Sequence, residues 1–198
     1  STPVVTITGS GTSDAQRLVL KDLRIDGNGT GADGIKITSV GSYITLENVY
    51  AVENDGKGVA ADWSETAYGI KILNCSFSNN TGNGFRTGSE SGISGIEIKN
   101  THMDENLNGL YLNGPITDLT IDGGSFDENK SIGSNTNNGV GIYALQFNRF
   151  SDSDQKPIVL KNFNANKNQR GVILHTYGPF SIEDATVNNN SEEGITFS

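Results

Sequence analysis

The chain has 198 residues, of which 25 are Gly and 23 are Asn, and only 34% are hydrophobic. Gly accepts and Asn tolerates the positive φ angles of turns, so this composition excludes a helical bundle, while recurring Ile, Val, Leu and Phe argue against disorder. The net charge of −9 makes nucleic acid an unexpected partner, because phosphate binding needs a basic surface, and no apolar run is long enough to predict a membrane span.

The first predicted element is residues 3–16, part strand and part Gly/Ser turn, which we place in the coil before the first full repeat. Similar segments then begin at Tyr43, Gly69 and Gly95, which are 26 residues apart. In each repeat an alternating strand ends in Asn, a second short strand follows, another Asn marks a turn, and Gly opens a third strand. The apolar residues keep the period of two that a strand with one buried face requires.

Three residue columns recur in register over seven repeats. The first polar column follows the first strand and reads Asp22, Asn48, Asn74, Asn100, Gly123, Asn162 and Asp184. The turn column is Asn throughout and reads Asn28, Asn54, Asn80, Asn106, Asn129, Asn168 and Asn190. The Gly column opens the third strand and reads Gly34, Gly58, Gly84, Gly109, Gly141, Gly171 and Gly194. Stacked amides in the Asn columns can form hydrogen-bonded ladders along the axis, which would satisfy polar groups at the corners.

The columns predict an all-β fold, a right-handed parallel β-helix (a β-solenoid) of about seven coils of 22–26 residues, one of them enlarged by two loops. An antiparallel sandwich is the competing interpretation, but its hairpins would not keep three columns in register. We expect a single domain over residues 1–198, cut from a longer protein, because an uncovered last coil exposes core and strand edges. Further domains of the same chain, or an end-to-end partner, would cover that coil.

Two insertions enlarge the fifth repeat, residues 130–138 before its third strand and residues 148–156 after it. These loops are expected to rise on either side of that strand. The second loop contains Asp152 and Asp154, for which two interpretations stay open: a solvated charged loop, or a calcium site completed by carbonyl oxygens. No other cofactor is expected.

Alternation in the third strand separates inward from outward side chains, and a function has to use the outward ones. Cys75 falls in an inward column and is expected to be a core residue. Arg86, Tyr111 and Tyr143 follow one another in an outward column on adjacent coils. Aromatic rings beside planar polar groups can bind sugars through C–H contacts and hydrogen bonds, although outward Tyr is also common on β-surfaces. The candidate carbohydrate-binding residues are Lys36, Asp62, Trp63, Arg86, Tyr111, Asn113, Tyr143, His175 and Tyr177.

The repeat resembles the right-handed parallel β-helix of the pectate-lyase-like superfamily over nearly the whole chain. The closest pattern is that of mannuronan C5-epimerase catalytic modules, in which a segment like residues 43–49 (YITLENV) leads into a Tyr-Gly-Phe-Asp-Pro-His active-site motif. In this chain Lys57, Ala60 and Asp62 take the places of the catalytic Tyr, Asp and His, and only Gly58 matches. The resemblance therefore implies the fold but carries no catalytic role to these residues.

The outward residues are compatible with two functions of different classes. The first is a non-catalytic module of a secreted or cell-surface protein that binds polysaccharide or serves as a rigid spacer. The alternative is a polysaccharide lyase or C5-epimerase acting on a uronate polymer. In that enzyme Arg86 would neutralise the substrate carboxylate, Tyr111 or Tyr143 would act as base or acid, and His175 would be the alternative base. A Tyr base would need a lowered pKa. An ice-binding solenoid is disfavoured, because the outward columns are not flat arrays of Thr.

Overall fold

A computed structural model describes residues 2–27, 32–38, 41–63, 65–88, 92–130, 138–145 and 156–198. The odd-numbered strands are β1 (Val5–Ile7), β3 (Ile35–Ile37), β5 (Val59–Ala61), β7 (Phe85–Thr87), β9 (Leu110–Leu112), β11 (Val140–Leu145), β13 (Arg170–His175) and β15 (Glu193–Phe197). The even-numbered strands are β2 (Leu18–Asp26), β4 (Ile44–Val52), β6 (Ala67–Leu73), β8 (Ile93–His102), β10 (Ile116–Ser125), β12 (Ile158–Lys161) and β14 (Phe180–Glu183). Over these ranges, no helix is long and apolar enough to cross a membrane.

The chain alternates between two parallel sheets. The odd-numbered strands form an eight-stranded sheet in the order β1-β3-β5-β7-β9-β11-β13-β15, and the even-numbered strands form a seven-stranded sheet from β2 to β14. Each strand pairs with the equivalent strand of the next coil, as β7 pairs with β9. This arrangement confirms the predicted all-β parallel solenoid, and the strand numbers are close to the seven predicted coils.

The predicted second strand continues the first strand in β2, β4, β8 and β10, where Leu23 pairs with Val49 and Ser125 pairs with His102. Between other coils it is reduced to isolated bridges, such as Tyr50 to Ser76. It follows a corner at the first polar column, whose seven residues all have positive φ, between 47° at Asn100 and 83° at Gly123. Asn, Asp and Gly are the residues that adopt this conformation at least cost. The column therefore turns the chain instead of forming a buried amide ladder.

The turn column does form a buried ladder. The Asn54 side-chain amide donates to Asn80 Oδ1 at 2.8 Å, and Asn80 donates in the same way to Asn106 Oδ1 at 3.0 Å. Asn129 and Asn168 are adjacent rungs: Asn129 Nδ2 lies 3.1 Å from Asn168 Oδ1 although 39 residues separate them in sequence, so the ladder stays in register despite the extra residues of the fifth repeat. The predicted ladder is confirmed from Asn54 onward, and Asn28 lies outside the described residues.

The composition suggested that Gly is needed in turns, but the Gly residues of the Gly column are required for a different reason. Gly84 does not have a positive φ. A Cβ atom added there would lie 2.7 Å from the Phe77 carbonyl oxygen and 2.8 Å from the Gly109 carbonyl oxygen of the next coil. Such distances are far inside van der Waals contact, so Gly is required because backbone and ladder approach this position closely.

The inward side chains fill one continuous core along the axis. Val59, Phe85, Leu110 and Ile142 occupy successive coils of one inward column and are fully buried. Cys75 is 1% exposed, as predicted for a core residue, and burial raises the pKa of its thiol to about 11. At that pKa the thiolate is scarce at neutral pH, which is consistent with a packing role for Cys75 in the core.

Candidate functional site

The outward column of the eight-stranded sheet brings the main candidates side by side. Strands β7, β9 and β11 pair in parallel, with Arg86 opposite Tyr111 and Tyr111 opposite Tyr143. Because strand side chains alternate, the buried neighbours Phe85 and Leu110 fix the outward direction of Arg86 and Tyr111. The predicted adjacency of these three residues is confirmed.

The two tyrosine rings are stacked on each other. Their centroids are 4.5 Å apart and their planes differ by 8°. His175 meets Tyr143 edge-on, with ring centroids 5.6 Å apart and an angle of 68°. The His175 Nδ1 atom also forms a hydrogen bond with the Ser198 hydroxyl. Arg86, Tyr111, Tyr143 and His175 together are called the tyrosine surface below.

Stacking changes what this surface can offer to a ligand. The facing sides of Tyr111 and Tyr143 are in contact with each other, and His175 packs against Tyr143. A sugar ring that binds through its C–H groups needs an open aromatic face, and the stacking removes one face of each ring. We therefore expect recognition to depend mainly on hydrogen bonds to the hydroxyl groups.

The Tyr143 hydroxyl is held in its protonated form. Burial raises the pKa of Tyr143 above its ordinary value, the neighbouring Tyr111 adds to the rise, and the positive charge of Arg170 opposes it. A phenol with a raised pKa stays neutral over the physiological range, where it can donate one hydrogen bond and accept others. The neutral phenol is suited to form hydrogen bonds with the hydroxyl groups of a ligand, whereas a general base would need a lowered pKa.

Arg170 is a residue of this region that the sequence reasoning missed. It begins β13 and its side chain is 15% exposed, with Nε 3.8 Å from Glu192 Oε2. In the part of the chain that the structure describes, the buried Nε of Arg86 has no hydrogen-bond partner, and the same is true of Nε and Nη2 of Arg170. The sequence reasoning followed only residues after the Gly column, so an Arg directly before Gly171 was not considered.

The other candidates lie around the tyrosine surface. Lys36 is in the same outward column as Arg86, but the buried Ala60 separates the two. Asn113 directly follows β9, and its backbone N–H donates to Thr87 Oγ1 at 3.0 Å. Asp62 and Tyr177 are exposed in the turns that follow β5 and β13, and Tyr177 is 71% exposed.

Trp63, predicted as one of the outward candidate residues, is instead buried. Trp63 is 5% exposed and belongs to the hydrophobic core. Its ring packs against Gly41, where an added Cβ would come within 2.6 Å of it, and its Nε1–H donates to the Gly92 carbonyl oxygen at 3.3 Å. The missing side chain at Gly41 provides the space that takes the indole out of solvent.

The calcium interpretation lies outside what the structure describes. Asp152 and Asp154 fall within residues 146–155, which are not among the described ranges. Elsewhere, over the ranges given above, no three His, Cys, Asp or Glu side chains come together in a group that could hold a metal ion.

A second polar cluster lies just after the first polar column, where β8 and β10 end. The Ser125 hydroxyl donates to Asp104 Oδ2 at 2.6 Å, and His102 Nδ1 lies 2.7 Å from Ser125 Oγ. Asp104 in turn accepts the Asp127 backbone N–H at 2.7 Å. The His102 side chain is exposed. Its contacts were not foreseen, because Ser125 and Asp104 belong to different coils.

Fold and site together define the class of this protein as a parallel β-solenoid with an aromatic and cationic strip on one sheet. No protein-family model matches the chain, no curated protein is similar to it in sequence, and no solved structure matches it. The solenoid architecture is therefore what is shown. Its handedness and its kinship to the pectate-lyase-like superfamily stay predictions.

Proposed function

We propose that this chain is a non-catalytic, extracellular or cell-surface solenoid module that binds polysaccharide through the tyrosine surface. The observation that carries the proposal is the stacked pair of Tyr111 and Tyr143, with Arg86 on one side and His175 on the other. Hydroxyl, guanidinium and imidazole groups in a row suit a ligand that presents many hydroxyls along one direction.

The contrast with the opposite sheet supports this choice of surface. Outward charges of the seven-stranded sheet pair with each other across coils, as in Lys21–Glu47 at 3.1 Å and Lys161–Asp122 at 3.2 Å. Charges that are already neutralised by neighbours attract a ligand weakly. The tyrosine surface instead combines aromatic rings with the guanidinium group of Arg86, whose buried Nε has no hydrogen-bond partner among the described residues.

The lyase or epimerase alternative receives less support. Its tyrosine base needs a lowered pKa, whereas burial raises the pKa of Tyr143. His175 would be the remaining base, and its Nδ1 is engaged with Ser198. A test is incubation with alginate, pectate and glucuronan, with ultraviolet absorbance to detect unsaturated uronate and NMR to detect epimerised residues. Product from any of these polymers would make the module an enzyme.

Binding can be tested with a broad panel of immobilised neutral and acidic oligosaccharides, followed by titration calorimetry on those that bind. We expect Tyr111→Phe and Tyr143→Phe to weaken binding by about tenfold, nearly as much as the Ala variants, because hydroxyl contacts are lost while the stacked rings stay. Tyr68→Ala is the matched control, since Tyr68 is 48% exposed on the other sheet.

The outcomes separate the possible modes of recognition. Binding that survives Tyr→Phe but not Tyr→Ala would mean that ring faces, and not hydroxyls, contact the sugar. Binding that survives all four variants would move the site away from the tyrosine surface. If no saccharide in the panel binds, the binding proposal is wrong and the role of rigid spacer remains.

A further inference from the structure

The tyrosine surface contains two side chains that are held in position to react with each other. Tyr111 of β9 and Tyr143 of β11 are register partners on adjacent coils, and their rings stack with centroids 4.5 Å apart and planes 8° apart. At that spacing the ring carbons of the two residues face each other in van der Waals contact. Among the described residues, no other two tyrosines have their rings in contact.

The hydroxyl groups of the two tyrosines also lie next to each other. Burial is the largest cause of the raised pKa of Tyr143, and a side-chain hydrogen bond with Tyr111 adds to it. Two phenols that are hydrogen-bonded through their hydroxyls and stacked through their rings bring their ortho carbons, the ring carbons beside the hydroxyls, close together. When a phenol loses one electron and one proton, the unpaired electron is shared between the oxygen and these ortho carbons.

The other easily oxidised side chains of the protein are shielded from solvent. The chain has one Cys, one Met and one Trp, and these residues, Cys75, Met103 and Trp63, are 1%, 0% and 5% exposed. The raised pKa of the Cys75 thiol also leaves little of its reactive thiolate. Because susceptibility to oxidation follows exposure, a one-electron oxidant from solvent meets tyrosines first, and Tyr111 and Tyr143 are both partly exposed.

We propose that Tyr111 and Tyr143 form a site of oxidative cross-linking, at which a peroxidase and hydrogen peroxide join the two rings as dityrosine. Each phenol loses one electron and one proton and becomes a phenoxyl radical. The two radicals combine in a new carbon–carbon bond between ortho carbons, and each ring then loses its ortho hydrogen as a proton while its oxygen gains one. Hydrogen peroxide takes up the two electrons and two protons and leaves as two molecules of water.

The cross-link would join two coils by a covalent bond. It would close a loop in the chain between Tyr111 and Tyr143, which includes the insertion at residues 130–138. Such a bond restricts the unfolded chain more than the folded one, in which the two rings are already in contact, so we expect the melting temperature to rise by about 5 °C or more. This modification does not depend on the proposed binding of polysaccharide.

The test treats the whole chain with a haem peroxidase and hydrogen peroxide, at a protein concentration low enough to disfavour contact between molecules. We expect the blue fluorescence of dityrosine, a monomer that has lost two hydrogen atoms by mass spectrometry, and linked peptides that contain Tyr111 and Tyr143. Tyr111→Phe and Tyr143→Phe should each abolish this product, because the stacked rings stay but one phenol is missing. Tyr68→Phe is the matched control and should leave the yield unchanged, since Tyr68 is 48% exposed on the other sheet.

Circular dichroism of each variant before oxidation checks that the solenoid is folded. A link between Tyr111 and Tyr143 within one chain, together with a higher melting temperature of the purified cross-linked monomer, supports the proposal. Several results would overturn it: no dityrosine, dityrosine that persists in Tyr111→Phe, or links that join only different chains, as through Tyr177, which is 71% exposed. An unchanged melting temperature of the cross-linked monomer would contradict the joining of the two coils.

Discussion

The Asn ladder and the tyrosine surface lie on the same coils but are built in opposite ways. The ladder repeats one residue type on every rung, and its members are buried, as Asn80, Asn106 and Asn129 show at 3%, 3% and 0% exposure. The outward column varies in residue type, from Lys36 through Arg86 to Tyr143, and only Tyr111 and Tyr143 repeat a residue among these coils. Repetition thus marks the residues that hold the coils together.

This difference indicates which side chains of a solenoid can carry its function. A side chain that bonds to its own equivalent in the next coil is constrained to be the same residue, because each rung is both donor and acceptor. An outward side chain has no such constraint and is free to vary. Substitutions in the ladder should therefore cost stability, and substitutions on the tyrosine surface should cost mainly binding.

The largest effect is expected from Asn106→Ala. It removes the Oδ1 acceptor of the Asn80 backbone N–H and side-chain amide, at 2.9 and 3.0 Å, and the donor to the Phe77 carbonyl oxygen. These buried groups stay unsatisfied, so the free energy of unfolding should fall by about 4 kcal/mol. Urea unfolding followed by circular dichroism measures it.

Tyr111→Ala is the matched outward control on the same coil. It removes a stacked aromatic contact at a partly exposed site, so we expect a loss of only about 1 kcal/mol. Equal losses for the two variants would contradict the division between a structural ladder and an outward surface that is free to vary.

A loss somewhat smaller than that of the ladder variant, about 3 kcal/mol, is expected from Gly84→Ala. The new Cβ would be pressed against two backbone carbonyl oxygens, which cannot move away as a flexible side chain could. Gly194 is the control because it holds the same column position in the last coil. There the nearest atoms to an added Cβ are 3.9 Å away, so Gly194→Ala should change the free energy of unfolding by less than about 1 kcal/mol. Similar melting curves for the two variants would show that coil contact is not what selects Gly.

Much of the fold could be predicted from the sequence, because residues that recur in one column lie next to each other on successive coils. The Asn ladder, the inward position of Cys75 and the adjacency of Arg86, Tyr111 and Tyr143 all follow from counting residues in register. The reason for the Gly column could not be predicted, because composition connects Gly with turns and only coordinates show the close approach of the next coil.

The site was less predictable, because its details depend on space between coils. The position of Trp63 in the sequence predicts an outward side chain, but the space left by the missing side chain of Gly41 accommodates its ring. The stacking of Tyr111 on Tyr143 is a matter of side-chain rotamers, which residue spacing does not specify. Arg170 lies outside the three repeated columns, so no sequence pattern identified it as a candidate.

The smallest expected effect is a change in melting temperature that has opposite signs for substitutions of two outward carboxylates, Asp127 and Asp122. Burial raises the pKa of Asp127, which accepts the Asn166 backbone N–H at 2.6 Å. A native pKa above the unfolded one gives stability at low pH that is lost as pH rises through the native pKa. Asp127→Asn keeps an acceptor and removes the charge, so it should raise the melting temperature slightly near neutral pH.

Asp122→Asn should act in the opposite direction. The side-chain amide of Asn162 and the ammonium group of Lys161 lower the pKa of Asp122, so its ionised form contributes stability above the unfolded pKa, and that stability is lost as pH falls through the native one. Near neutral pH this variant should lower the melting temperature, and at about pH 3, where most carboxylates gain protons, both differences should shrink. Calorimetric scans at the two pH values measure this. Shifts of the same sign near neutral pH would mean that burial of Asp127 does not outweigh its hydrogen bonds, and that its ionised carboxylate stabilises the solenoid as that of Asp122 does.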